Sequence, residues 1–122
     1  MPKKILVADD VGEMTAMIRS RLEYKGFEVD ECWDGGDALN RILNNHYDLV
    51  LLDFAMPIMK GDSICEKIRN HPHLKDLPII IMTGYSDREI EFFKNQGATE
   101  VIYKPINNEE LMEKITALLK IS

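Results

Sequence analysis

The chain has 122 residues and a mass of 14.0 kDa, room for one domain spanning residues 1–122. Its 45% hydrophobic and 30% charged content predicts a globular fold and excludes disordered, collagen-like and low-complexity classes, and a fold of this mass buries about two-thirds of its unfolded surface. The net charge of −6, with a pI near 5.0, argues against general binding to nucleic acid or anionic membranes, which takes Lys/Arg-rich faces.

In chain order, short apolar runs alternate with segments of helical period. Ile5–Ala8 is an unbroken apolar run, as expected of a strand buried on both faces, and Asp9-Asp10 follow it. Met14, Met17, Ile18 and Leu22 form a first helical stripe. Glu28–Cys32 is a less continuous strand, suited to a sheet edge, and Ala38, Leu39, Ile42 and Leu43 form a second stripe. A buried strand over Leu49–Leu52 ends in Asp53, and Ile64, Cys65 and Ile68 form a third stripe. A further buried strand, Ile79–Met82, ends in Thr83-Gly84. Residues 87–95 make a weaker helix with Ile90 and Phe93 inward and Glu89, Glu91 and Lys94 outward. Val101–Tyr103 is the second edge strand and ends in Lys104-Pro105. Leu111, Ile115, Leu118 and Leu119 stripe a last helix that runs almost to Ser122, leaving no output domain in this chain. Glycines and prolines fall between the elements. Five strand–helix units in alternation predict an α/β domain, a doubly wound parallel sheet covered on both faces.

The two cysteines, Cys32 and Cys65, sit in apolar stretches and read as small buried hydrophobes rather than a disulfide framework. The apolar run near the N-terminus is too short for a signal peptide, and no stretch approaches the roughly 20 apolar residues of a membrane span. A reduced, cytoplasmic chain is expected.

In an open parallel sheet, ligands bind beyond the carboxyl ends of the strands. There the chain gathers Asp9, Asp10, Asp53, Thr83 and Lys104: three carboxylates, a hydroxyl and an ammonium. Two like charges about 4 Å apart repel by roughly 4 kcal/mol at an effective dielectric near 20, so the acids need a cation or raised pKa values. Hard oxygen ligands suit Mg²⁺. A metal, an ammonium, a hydroxyl and a free carboxylate suit phosphoryl transfer to that carboxylate. Each feature alone has a plain reading as a turn, a helix cap or a strand exit; the strand order and polarity join them.

These residues carry a family signature. Asp9-Asp10, Asp53-Phe54-Ala55-Met56-Pro57, Gly61, Thr83-Gly84 and Lys104-Pro105 together resemble the receiver domain of two-component response regulators, over essentially the whole length from Lys3 to Leu119. The resemblance implies a flavodoxin-like fold with strand order 2-1-3-4-5. It implies Asp53 as phosphoacceptor, with Mg²⁺ held by Asp9, Asp10, Asp53 and the Phe54 carbonyl. Thr83 would bind a phosphoryl oxygen and move on activation, Lys104 would pair with the acyl phosphate, and Tyr103 would be the aromatic switch. The Lys104-Pro105 bond would be cis. Ala55 and Tyr85 occupy the positions that tune phosphate lifetime. The implied partners are a sensor histidine kinase or phosphotransfer protein, and a downstream target or missing output domain. Output would pass through the surface of the fourth helix, fifth strand and fifth helix, in a monomer or a phosphorylation-dependent dimer. Such a domain catalyses its own phosphorylation and dephosphorylation and is otherwise no enzyme.

Other readings fit less well. A haloacid-dehalogenase-type phosphohydrolase needs a second acid two residues after the nucleophile, where Ala55 stands. A flavin carrier needs a hydroxyl- and glycine-rich phosphate loop where Asp9-Asp10-Val11-Gly12-Glu13 stands. A phosphate-independent docking module remains as the alternative. His46 and His71-Pro72-His73 read as solvated residues rather than metal ligands. Ile106 stands where the family commonly has an aromatic. Met56 and Met59 are candidates to line a partner-docking face.

Overall fold

The apolar runs become strands and the striped segments become helices. The computed structural model describes residues 2–84 and 90–121. The order is β1 (Lys4–Ala8), α1 (Gly12–Tyr24), β2 (Glu28–Cys32), α2 (Gly35–Asn44), β3 (Leu49–Asp53), α3 (Gly61–Arg69), a 3-10 turn (Pro72–Leu74), β4 (Ile79–Thr83), α4 (Ile90–Asn95), β5 (Glu100–Tyr103) and α5 (Asn108–Leu119). All four strand pairings are parallel, in the order β2-β1-β3-β4-β5, as the resemblance implies. Of the weak helix expected over 87–95, residues 87–89 lie outside the described residues, as does Tyr85.

The central strands β3 and β4 are buried at every residue, so alternate side chains feed two cores. Ile5, Val7, Leu49, Leu51, Ile80 and Met82 pack with Ile18 and Leu22 of α1 and Leu111 and Ile115 of α5. Leu6, Ala8, Val50, Leu52, Ile79 and Ile81 pack on the other face with α2, α3 and α4, through Ile42, Ile64 and Phe93 among others. Both cysteines are fully buried and free in this second core, and burial pushes each thiol up to about 12, so both are inert hydrophobes at neutral pH.

Two helix starts are fixed by side chains that accept backbone N–H bonds: Asp34 from Asp37 at 2.7 Å and Asn107 from Glu110 at 2.9 Å. In α1 the stripe is displaced from the expected one. Met17 is exposed and Thr15 is buried, because the Thr15 hydroxyl donates back to the Gly12 carbonyl at 3.0 Å and meets the Trp33 indole. Leu43 is likewise exposed, at the margin of the α2 stripe. Met56 is buried in the core and Met59 is only partly exposed, packed against it, so Met56 is no part of a docking face.

Candidate functional site: an acid cluster at the strand ends

Register brings the acids together. Ala8 pairs with both Cys32 and Leu52, so Asp9 and Asp53 leave neighbouring strands at the same level. Thr83 ends β4 opposite Tyr103, the last residue of β5, and the Lys104 N–H donates to the Thr83 carbonyl at 2.8 Å. That bond brings Lys104 alongside. The Lys104-Pro105 peptide is cis, as expected.

The carboxylates of Asp9, Asp10 and Asp53 each offer an oxygen within 4.8 Å of the other two, and theirs is the one such His/Cys/Asp/Glu group among the described residues. Asp9 is fully buried, Asp53 is 4% exposed and Asp10 is exposed. The Lys104 ammonium lies 2.9 Å from Asp9 Oδ2 and 2.9 Å from Asp53 Oδ1, bridging the two buried acids. Asp9 Oδ1 accepts the Val11 N–H at 2.9 Å, which fixes the turn into α1.

Burial holds the Asp53 carboxyl above its ordinary value; the Lys104 bond pulls it down, and the charges of Asp9 and Asp10 push it up again. Burial draws the Lys104 ammonium down, but its bonds to Asp9 and Asp53 prevail and leave it raised. Three carboxylates against one ammonium leave two negative charges in a largely buried cluster. The donors are hard oxygens, and a divalent cation would balance them.

Thr83 is 1% exposed at the end of β4. Tyr103 is half-buried and packs against the core on the α4 side of the sheet. The Phe54 carbonyl, expected among the metal ligands, accepts the Gly61 N–H at 3.0 Å. That bond ties the loop after β3 to the start of α3. Gly61 is required there: a Cβ would meet the Asp53 carbonyl oxygen at 2.8 Å and Phe54 Cα at 3.3 Å. His46 is exposed and sits 3.2 Å from Asp48. His71 and His73 contact each other edge to face at 6.0 Å.

One residue of this edge escaped sequence reasoning. Trp33 follows β2, is 52% exposed and donates its indole N–H to Thr15 Oγ at 3.2 Å. The only tryptophan, directly after a predicted strand, was the available signal.

A family model, the response regulator receiver domain, matches residues 5–116. Among curated relatives, the response regulator ArlR of Staphylococcus saprophyticus is 37% identical over 118 residues, covering 96% of this chain and 52% of that protein. ArlR of Staphylococcus aureus is 35% identical over the same shares. The chain thus spans about half the length of the curated relatives it matches. Among solved structures, a CheY-like receiver domain protein from Methanospirillum hungatei superposes with a TM-score of 0.90 at 33% identity, covering 98% of this chain and 95% of that one. The chemotaxis response regulator CheY4 of Vibrio cholerae gives 0.90 at 28% identity, covering 97% and 99%.

Proposed function

The chain belongs to the response regulator receiver domain family of two-component systems, and on that premise we propose that it is a switch whose phosphoacceptor is Asp53. The observation that carries this reading is the Lys104 ammonium held 2.9 Å from both Asp9 and Asp53, beside Asp10. A buried nucleophile, an acid pair and a mobile positive charge meet in one place.

The donor would be the phosphohistidine of a sensor histidine kinase or of a phosphotransfer protein, acting in the cytoplasm. An Asp53 carboxylate oxygen attacks phosphorus in line, the P–N bond to the imidazole breaks, and an acyl phosphate forms. Asp9, Asp10 and Asp53 would hold Mg²⁺, with water and backbone oxygen completing its shell; bound there, it neutralises the phosphoryl oxygens. The Phe54 carbonyl accepts the Gly61 N–H, and since a carbonyl oxygen has two lone pairs it would still supply a backbone oxygen to that shell. Lys104 exchanges its contact with Asp53 for a phosphoryl oxygen, and Thr83 donates its hydroxyl to another. Hydrolysis of the acyl phosphate in the same site resets the switch.

Output would run through Thr83 and the neighbouring Tyr103 to the surface formed by α4, β5 and α5, and so to a target protein or an output domain. Reversing a 1:99 equilibrium takes about 5.5 kcal/mol, and charge-assisted bonds to Thr83 and Lys104 are of the kind that supplies it. Incubation with a small phosphodonor and Mg²⁺ is expected to give an acid-stable, base-labile phosphate that Asp53→Asn abolishes. Label that survives the substitution would sink the assignment of Asp53. Wild type that takes no label would leave the phosphate-independent docking module.

A further inference from the structure

A groove of about 730 Å³ runs between the second half of α1 and α5, on the sheet face served by these two helices. Its floor and rims are apolar, with Phe27, Met112 and Ile121, and Tyr24 at the end of α1 stands 88% exposed beside it. On the α1 wall, Arg21 and Lys25 are one helical turn apart; on the α5 wall, Glu109 and Glu113 have the same spacing. Among the described residues none of these four is engaged in an ion pair.

We infer that the α1–α5 groove is an interface for a second copy of this chain. An interface about a two-fold axis must be complementary to itself, each copy supplying both halves of every contact. This surface has that property in two respects. It carries an exposed tyrosine and an apolar groove for the tyrosine of the other copy. It carries a basic row and an acidic row of equal spacing, which meet row to row when two copies oppose each other. Tyrosine suits such a place, as a large apolar body with a polar tip. The pairing uses α5 but neither the acid cluster, α4 nor β5, so it needs neither Asp53 nor its phosphorylation.

Sedimentation or light scattering of the purified chain between about 10 µM and about 1 mM tests the inference. The mass is expected to rise from 14.0 kDa toward twice that value with concentration, and Asp53→Asn to behave as wild type. Tyr24→Ala alters an exposed side chain and leaves the fold intact, which circular dichroism checks; it should raise the dimer Kd at least about tenfold. Arg21→Glu sets two acids against each other and should weaken the dimer as well. A chain that stays monomeric throughout, or a dimer that neither substitution weakens, overturns the inference.

Discussion

Ile58 has two reasons not to be isoleucine. Its backbone lies at φ 74°, a region that β-branched residues rarely occupy, and its side chain is 82% exposed. The left-handed conformation costs an L-residue roughly 1–2 kcal/mol, and so exposed a side chain recovers little of that by burial. The bend is set from outside. Gly35 donates its N–H to the Pro57 carbonyl at 3.1 Å, Met59 donates to the same oxygen at 2.8 Å, and Ile58 Cγ2 rests over Gly36. Asparagine tolerates this conformation better. Ile58→Asn is therefore expected to stabilise the domain by about 1 kcal/mol, read as a higher midpoint in urea. An unchanged or lower midpoint would show that the contact over α2 outweighs the backbone strain.

At the scale of elements, the β3–α3 connection couples stability to the site. Gly61 opens α3 against the last residue of β3, and a Cβ there would also meet Ile81 Cδ1 at 3.1 Å. Two of its three near neighbours are backbone atoms of residues 53 and 54, which cannot swing aside. Gly61→Ala should cost about 2 kcal/mol, within the range for overpacked cores. It should also slow phosphorylation by a small donor, since relief of the clash shifts the backbone that carries Asp53. Full-rate labelling in a destabilised variant would show that the two are uncoupled.

These elements were legible in the sequence to different degrees. The buried runs of β1, β3 and β4 were readable to within one residue, because a strand buried on both faces has an unmistakable composition, and the edge strand β2 was readable at its observed bounds. The acid cluster was legible too, since parallel strands deliver their last residues to one edge. Helix faces were harder. Met17 fits an apolar stripe, yet Thr15 takes the buried place, because a threonine can return its hydroxyl to its own helix and still accept from Trp33. The Phe54–Gly61 hydrogen bond and the strained Ile58 belong to a loop whose path follows from packing against α2 and α3, which no local pattern encodes.

For the whole molecule, the fold assembles at the carboxyl edge of its sheet a charge cluster that the rest of the structure must stabilise. The folded-state pKa of Asp53 is raised, first by burial and then by the neighbouring acids. A raised carboxyl favours the protonated form in the folded state, so Asp53 subtracts stability as pH rises through its folded value and subtracts nothing below its unfolded value, near 3.9. Lys104 does not obscure this window: its pKa is also raised, and its contribution is lost only in the strongly alkaline range. Asp53→Asn keeps the shape of the side chain, removes the buried charge and leaves Lys104 paired with Asp9. Without divalent metal, the variant should melt above wild type at pH 7.5, with the difference narrowing as pH falls through the carboxylate range. Mg²⁺ at pH 7.5 should narrow it as well, by raising the melting temperature of wild type more than that of the variant, because a ligand bound only by the folded state stabilises it in proportion to its affinity. A variant less stable than wild type at pH 7.5, or a difference that grows on acidification, would mean that the Lys104 pair more than offsets the burial of Asp53. The low stability of the resting cluster and its affinity for a divalent cation would then have separate causes; if the prediction holds, both arise from the same two uncompensated negative charges.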